Sequence, residues 1–235
     1  MEIKAILFDM DGTLVPMDQD IFMKRYFGEM AKVLSPLGLA SEAVAPTIWA
    51  GTKAMVKNDG SDTNCEVFWR VFSEVSGLDD KPFRPAADAF YANQFHLARE
   101  ATQPNPLAVE AVRIAREKAE KVVLATNPLF PMVGQESRMG WVGLKPADFD
   151  LVTSYESDSY CKPNPAYFQE ICRRIGVEPE QCVMIGNDET EDMACAMAAG
   201  IRRCFLVTEC LIPGPQHWDG PRGTFAEMVE WLKAL

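Results

Sequence analysis

Short apolar runs that end in polar residues recur along the chain. The clearest cover residues 3–8, 122–125 and 182–185, and weaker ones cover 150–153 and 204–207. Continuous apolar runs of this length are typical of strands buried on both faces of a sheet. Helical patterns separate the later runs, at residues 107–120, 164–176, 190–199 and 224–234. This alternation predicts an α/β fold with a parallel sheet and helices on both of its faces.

The interval 16–101 is different, because it contains no good strand pattern. Thr63 precedes one of its helical patterns and Glu66 follows three residues later, which predicts a helix start. The interval therefore predicts an all-helical insertion directly after the first strand. The proline-containing segment 102–106 is predicted to be a stiff return linker. The helical patterns of the insertion cover residues 20–35, 41–57, 64–76 and 84–100.

Composition narrows the class of protein. The 235 residues carry a formal charge of −11, which argues against nonspecific binding to nucleic acid or to an anionic membrane. Seven cysteines without a C-x-x-C pair, together with two histidines, favour reduced thiols over a disulfide framework or a zinc site. The N-terminal apolar run is short and ends on Asp9, unlike a signal peptide. We expect a cytoplasmic protein, with a monomer as the default state.

Polar side chains follow three of the predicted strands. Asp9 and Asp11 follow the first, Thr126 follows the second, and Asp188 and Asp192 follow the third. A lysine, Lys162, lies just before the helical pattern at 164–176. Ligands of open α/β sheets bind beyond the carboxyl ends of strands, so these residues are predicted to form one site.

Clustered carboxylates resist ionisation unless a cation lies among them. Oxygen ligands suit a hard cation, and few protein ligands combined with a phosphate suit Mg²⁺. A carboxylate beside such an ion can attack phosphorus and form an aspartyl-phosphate. An acid two residues later can protonate the leaving oxygen and then take a proton from water. A lysine and a hydroxyl would neutralise and orient the phosphoryl oxygens.

Four segments in this order resemble the four motifs of the haloacid dehalogenase (HAD) superfamily. They are Asp-Met-Asp-Gly-Thr-Leu at 9–14, Thr126-Asn127, Lys162-Pro163 and Gly-Asn-Asp-Glu-Thr-Glu-Asp at 186–192. The resemblance implies a Rossmann-like catalytic core over 1–15 and 102–235 and a helical cap domain of the C1 type over 16–101. Hinges are expected near 15–18 and 101–106, so that the cap opens for substrate and closes to exclude water.

The resemblance also implies a role for each motif position. Asp9 would be the nucleophile and a Mg²⁺ ligand, and Asp11 would be the general acid and base, with its backbone carbonyl on the metal. Thr126, Asn127 and Lys162 would bind the phosphoryl group, with Thr126 and Lys162 counted among the catalytic residues. The metal set is completed by Asp188 as a direct ligand and by Asp192, which acts through a water or by orienting Lys162. Gly12 is assigned to substrate binding.

The acid at position 11 is similar to phosphatases and phosphomutases, whereas dehalogenases lack it. The resemblance therefore implies a Mg²⁺-dependent phosphatase of a small phosphorylated metabolite. Two alternatives stay open: a sugar phosphomutase with the same core residues, and a binding protein that has lost turnover. Residues 16–20 (Pro-Met-Asp-Gln-Asp) depart from the pattern of many relatives where the cap begins, which leaves the substrate class open.

Other conspicuous side chains are given structural roles. Glu189 and Glu191 are predicted to be first-turn charges that face a helix dipole. His96 and His217 are not expected to take part in catalysis. The aromatic residues of the cap are expected to form mostly the core of a helical bundle, with one or two lining the substrate pocket. They are Phe22, Tyr26, Phe27, Trp49, Phe68, Trp69, Phe72, Phe90, Tyr91 and Phe95.

Overall fold

Six parallel strands form one sheet, in the order β3-β2-β1-β4-β5-β6, within the residues 2–235 that our computed structural model describes. β1 is central, and Phe8 at its end lies opposite Leu124 of β2 and Ile185 of β4. The carboxyl ends of these three strands are therefore level. The strand bounds are β1 Ala5–Phe8, β2 Lys121–Leu124, β3 Leu151–Val152, β4 Cys182–Gly186, β5 Arg203–Val207 and β6 Arg222–Gly223.

Helices follow or connect these strands. Short 3₁₀ turns occupy Ser35–Leu37, Phe95–Ala101, Pro146–Asp148 and Pro179–Gln181, and a π-helical turn occupies Glu189–Ala194. No helix among residues 2–235 combines the length and the apolar character that a membrane span needs. The α-helices are α1 Gln19–Leu34, α2 Ser41–Val56, α3 Asn64–Ser76, α4 Phe83–Asn93, α5 Leu107–Lys118, α6 Met132–Trp141, α7 Ala166–Ile175, α8 Cys195–Ala199 and α9 Phe225–Ala234.

The alternating side chains of β1 separate the core into two layers. Ile6 and Phe8 pack in the cluster that includes α5, α9 and the inserted helices. Ala5 and Leu7 pack on the opposite face, in the cluster that includes α7 and α8. All four side chains are fully buried, as the continuous apolar run predicts for a central strand. The predicted fold class, a parallel sheet with helices on both faces and a helical insertion, is confirmed.

Three elements differ from the sequence prediction. The predicted helix at 84–100 breaks after Asn93 and continues as the 3₁₀ segment Phe95–Ala101. The predicted helix at 190–199 starts as a π-helical turn. Helix α6 was not predicted at all, because its ten residues include Gly134 and Gly140 and its N-cap residue, Pro131, has no side chain that could cap the first turn. Glu156, which is distant in sequence, accepts from Met132 N instead, at 3.1 Å.

The inserted helices α1–α4 occupy the interval between β1 and α5. The two chain segments that connect them to the sheet lie side by side: Met17 bridges Thr102, and Asp18 N donates to Ala101 O at 2.9 Å. Asn105 Nδ2 donates to Leu14 O at 3.0 Å, and the Thr102 hydroxyl donates to Pro16 O. The division into a core over 1–15 and 102–235 and a cap over 16–101 stays a prediction.

Candidate active site

The end of β1 carries the predicted nucleophile. Asp9 continues the sheet, since its N–H donates to Ile185 O at 2.8 Å, and only 8% of the residue is exposed. Its Oδ1 accepts from Lys162 Nζ at 2.7 Å, and its Oδ2 has one long contact, 3.5 Å, to the Thr13 hydroxyl. One carboxylate oxygen is thus firmly held and the other is not, and the residue lines a cavity.

Gly12 makes the turn that follows. Its φ is +87°, in the region that favours glycine, and a Cβ there would overlap the amide of Asn187. Asn187 is itself fixed, because its Oδ1 accepts from the Thr13 hydroxyl at 2.9 Å and its Nδ2 donates to Cys210 O at 2.7 Å. Gly12 therefore permits the close approach between the β1 and β4 ends.

Lys162 links the ends of β1 and β4. Its Nζ donates to Asp9 Oδ1 at 2.7 Å and to Asp192 Oδ1 at 2.6 Å, and the residue is 1% exposed. Burial opposes the charged form, but the contacts with Asp192 and Asp9 outweigh it and raise the pKa of Lys162 well above its ordinary value. Lys162 is therefore a charged ammonium in contact with two carboxylates.

The end of β2 carries Thr126 and Asn127. The carbonyl of Thr126 accepts from the hydroxyls of Thr153 at 2.6 Å and of Tyr167 at 2.8 Å, which fixes the backbone there. The side chain of Asn127 is turned toward Lys162: its Oδ1 accepts from Lys162 N at 3.1 Å. Its Nδ2 donates to Glu191 Oε2 at 2.9 Å. Asn127 thus positions the backbone that carries the buried lysine.

The end of β4 carries Asp188 and Asp192, which are held in different ways. Asp188 Oδ1 caps the following turn by accepting from Thr190 N at 2.7 Å and Glu191 N at 2.8 Å. Both oxygens of Asp192 are occupied, Oδ1 by Lys162 and Oδ2 by the amides of Asn187 and Asp188 at 3.0 Å each. Asp192 is therefore oriented toward Lys162 by the strand end itself.

The sequence analysis missed Arg138, which lies on α6. It is 1% exposed, and its guanidinium contacts the carboxylate of Asp11 and the side chain of Gln135. The guanidinium also lies 4.3 Å from the ring centre of Phe130. Gln135, Arg138 and Met139 share one helix face at spacings of three and four, so a helix assignment for 132–141 would have predicted that they face inward.

Glu189 and Glu191 do more than face a dipole, which corrects their predicted role. Glu189 is buried, and it accepts from Trp218 N at 3.1 Å and Gly214 N at 3.0 Å. The hydrogen bonds from these backbone amides lower the pKa of Glu189. Glu191 lines the cavity, and burial raises its pKa to about 7.

The site holds more negative charge than positive charge. If all five carboxylates are ionised, they face two cations, Lys162 and Arg138, and the formal excess is three negative charges. The pKa of Asp9 is raised to about 8, mainly by burial; Lys162 opposes this shift, and Asp192 adds to it. The pKa of Asp11 is also raised by burial, although Arg138 opposes the shift. The five carboxylates are Asp9, Asp11, Asp188, Glu191 and Asp192.

A cavity of about 420 Å³ opens over Asp9 and Thr126 and extends between the inserted helices. The expectation that one or two cap aromatics line the pocket is wrong, because most of the ten do. Only Phe90 and Phe95 of the set lie away from the cavity wall. The other eight are Phe22, Tyr26, Phe27, Trp49, Phe68, Trp69, Phe72 and Tyr91.

The fold and this site together define the class: an α/β protein with a carboxylate-rich centre at the strand ends and a helical insertion after the first strand. Within that class, the chain belongs to the haloacid dehalogenase-like hydrolases, whose family pattern matches residues 3–200. The resemblance drawn from the four motifs is thereby confirmed. The C1 type of the cap stays a prediction.

Similar proteins include phosphatases. The chain is 27% identical over 201 residues to a glyceraldehyde 3-phosphate phosphatase of Methanopyrus kandleri, covering 85% of this chain and 82% of that protein. It is 25% identical to a plasmid-encoded phosphoglycolate phosphatase of Cupriavidus necator, covering 98% and 90%. The crystal structure of a HAD phosphatase from Thermococcus onnurineus has the same fold, with a TM-score of 0.61, 21% identity and 98% coverage of both chains.

Proposed function

We propose that the protein is a Mg²⁺-dependent phosphatase that hydrolyses a small phosphorylated metabolite through an aspartyl-phosphate at Asp9. The observation that carries this proposal is the contact of the buried Lys162 ammonium with Asp9 and Asp192, two carboxylates that line the same cavity as Thr126. This arrangement offers a carboxylate nucleophile beside a fixed positive charge. The phosphatases among the similar proteins support the same reaction class.

Asp9 has the geometry of a nucleophile. Lys162 holds its Oδ1 and leaves Oδ2 with only the long contact to Thr13. In the first step, an Asp9 oxygen attacks phosphorus, and the bond between phosphorus and the leaving alcohol breaks. Asp11 gives its proton to the departing oxygen, which leaves as a neutral alcohol.

The second step reverses the role of Asp11. A water molecule attacks the aspartyl-phosphate and gives a proton to Asp11, and the bond between phosphorus and Asp9 breaks to release phosphate. An acid that works in both directions needs a pKa near the working pH. Burial raises the pKa of Asp11, which supports this role. Arg138 keeps the carboxylate of Asp11 in place for both steps.

The phosphoryl group is bound by fixed donors. We propose contacts from Lys162, the Thr126 hydroxyl, and the backbone at Gly12 and Asn127. The side chain of Asn127 is then a positioning group, because it already bonds the backbone of Lys162. Asp192 has the same character, since it presents Lys162 to the site while its own oxygens are fully engaged.

The residues fit a hard cation. The formal excess of three negative charges in the fully ionised site calls for a cation, which would favour the ionised form of Asp9. Asp11 Oδ1 is a buried oxygen without a hydrogen-bond partner among the described residues. The side chains alone do not form a ready cage, because within residues 2–235 no three His, Cys, Asp or Glu groups converge on one point. Asp9, Asp188 and the backbone carbonyl of Asp11 would hold Mg²⁺ together with the substrate. When bound, the ion offsets the charge of the phosphoryl group.

The same proposal includes three further predictions. The protein is cytoplasmic, it is a monomer, and its partner is a small phosphate ester and neither nucleic acid nor a membrane. The acidic charge supports the last point.

The test compares two Asp→Asn variants. Asp9→Asn keeps an oxygen that can accept from Lys162, so the fold is retained while the nucleophile is lost. Asp88→Asn, at an exposed position of α4, is the matched control. Release of phosphate from para-nitrophenyl phosphate should vanish in the first and persist in the second. Activity of Asp9→Asn near that of the wild type would refute the mechanism. Product analysis with a hexose 1-phosphate distinguishes hydrolysis from transfer to a sugar.

A further inference from the structure

The cavity over the site has two unlike ends. Its floor is polar and carries Asp9, Thr126 and Asn127. Its upper part runs between α1, α2 and α3 and reaches Leu34 and Phe72, both of which are buried. A phosphate held on the floor would therefore direct the rest of the molecule into the space between these helices.

The upper wall is apolar. Its aromatic side chains include Phe22 and Phe27 from α1, Trp49 from α2, and Phe68 and Trp69 from α3. Rings from two helices meet at the opening, where the centres of Phe27 and Trp49 are 5.8 Å apart. Such a wall recognises a partner by contact with apolar surface and with ring faces and edges.

Few polar groups line this region, and several of them are engaged with one another, Gln19 and Thr52 being among the others. The hydroxyls of Tyr26 and Tyr91 share a hydrogen bond of 2.8 Å. Arg138 is the single lysine or arginine among the described residues of the cavity wall, and Asp11 and Gln135 hold it. The charge of Arg138 is therefore paired with Asp11, and its buried Nε is the one nitrogen of that guanidinium without a partner among the described residues.

We propose that the substrate is the phosphate monoester of an apolar alcohol, with an alkyl chain or an aromatic ring as the leaving group. This inference rests on the proposed phosphatase function and specifies its substrate class. The hydroxyls of a triose or the carboxylate of glycolate would lose water in the upper cavity and meet few partners there, namely Gln19, Thr52 and the Nε of Arg138, which is unfavourable. An alkyl or aryl group would transfer its apolar surface from water to the aromatic wall.

A series of substrates with increasing alkyl chain length tests the proposed substrate class. The wild-type enzyme is assayed with n-alkyl phosphates from ethyl to octyl and with phenyl phosphate, against glycerol 3-phosphate, 2-phosphoglycolate and glyceraldehyde 3-phosphate. We expect kcat/KM to rise by up to about fourfold for each added methylene until the cavity is filled. Preference for the polar esters, or a flat response to chain length, would overturn the substrate class and leave the phosphatase function intact.

Two variants in the inserted helices test whether the aromatic wall of the cavity causes the preference for long alkyl chains. Trp49 is 52% exposed at the opening of the cavity, and Val75 is 54% exposed on α3 away from the wall, so neither truncation removes a buried core side chain. Trp49→Ala should lower kcat/KM for octyl phosphate about tenfold and hardly change it for ethyl phosphate. Val75→Ala should leave both values unchanged. Equal responses of the two variants would contradict the assignment of the wall.

A binding measurement distinguishes the proposed substrate class from the proposed phosphatase function. Octyl phosphate is titrated into the Asp9→Asn variant, and the quenching of tryptophan fluorescence is measured. Saturable quenching that ethyl phosphate does not reproduce supports the apolar site even if turnover of every ester fails, in which case only the phosphatase function is refuted. Absence of quenching by octyl phosphate overturns the inference.

Discussion

The guanidinium of Arg138 contacts the carboxylate of Asp11, which lies 127 residues earlier in the chain. The pair connects α6 to the turn after β1 and lies at the boundary between the polar floor and the aromatic part of the cavity. Arg138 has no other charged partner among the described residues. It therefore sets both the position and the electrostatic surroundings of the proposed general acid.

Replacing Arg138 by Met should destabilise the fold. The substitution leaves Asp11 without its cation and Gln135 without its partner, and the loss of one member of a buried pair costs about 3 kcal/mol. Equilibrium unfolding in urea measures the change in the free energy of unfolding. The matched control is Arg113→Met, since Arg113 pairs with Glu117 on the exposed surface of α5 and should cost less than about 1 kcal/mol.

Arg138→Met should also lower kcat more than it changes KM, because Arg138 positions Asp11 and does not touch the phosphoryl group. Arg138→Lys should restore part of kcat, since it returns the charge without the planar fork. Equal stability losses at positions 138 and 113, or an unchanged kcat in Arg138→Met, would argue against the pair as a functional element.

Magnesium should stabilise the folded protein. A cation offsets the formal excess of three negative charges that ionisation of the five carboxylates creates at the site. An ion that binds only the folded state adds about 2.7 kcal/mol at roughly 100 times its Kd. Thermal unfolding with Mg²⁺ or with a chelator measures the shift, and Asp188→Asn should reduce it. A melting temperature indifferent to Mg²⁺ would count against the cation site, as would full phosphatase activity in the chelator.

Gly186→Ala should impair catalysis without disturbing the sheet as a whole. A Cβ at Gly186 would overlap the carboxylate of Asp192, so Asp192 must move and take Lys162 with it. A displacement of about 1 Å in a catalytic group lowers the rate about 100-fold. The control is Gly28→Ala on α1, where a Cβ meets nothing within 4 Å and alanine favours the helix. Steady-state kinetics of both variants measure the effect. Equal activities would refute the proposed clash between a side chain at position 186 and Asp192.

Glu189 should govern the order of the loop at 214–218. Glu189→Gln retains the shape but loses the charge that strengthens the hydrogen bonds from Gly214 and Trp218. Hydrogen exchange of these two amides should become about tenfold faster. Glu230→Gln, on the exposed side of α9, serves as the control and should leave both amides unchanged. Unaltered exchange in Glu189→Gln would show that the loop is held by other contacts.

The strand-end residues could be placed from the sequence because their position depends on local pattern. An apolar run such as 182–185 predicts a buried strand, and the residues just after it must lie at the sheet edge. Lys162 is 153 residues from Asp9, and the strand-end argument placed it only in the same site; its role as a bridge to the nucleophile came from the family resemblance.

Other parts of the site depend on packing that no local pattern reports. Arg138 lies on helix α6, whose glycines hide the helical pattern in the sequence. The burial of Arg138 depends on its contacts with Asp11 and Gln135 in the folded protein. The aromatic residues of the insertion share the spacing of an ordinary bundle core, so sequence alone could not show that the helices stand apart around a cavity. Glu189 appeared to be a surface acid because the amides of Gly214 and Trp218, which it binds, lie far along the chain.

The bridge between Met17 and Thr102 means that the chain leaves the sheet and returns to it through one narrow stem. The inserted helices also contact the rest of the chain away from this stem, since Asn64 N donates to Asp158 O at 2.9 Å and Cys65 N donates to Tyr155 O at 2.8 Å. Exchanging residues 18–101 for another helical module would require two matched junctions and a replacement for these contacts, but no change to Asp9, Lys162 or Asp192. On the proposed function, such an exchange would alter the wall that meets the alcohol and would leave the proposed catalytic residues unchanged.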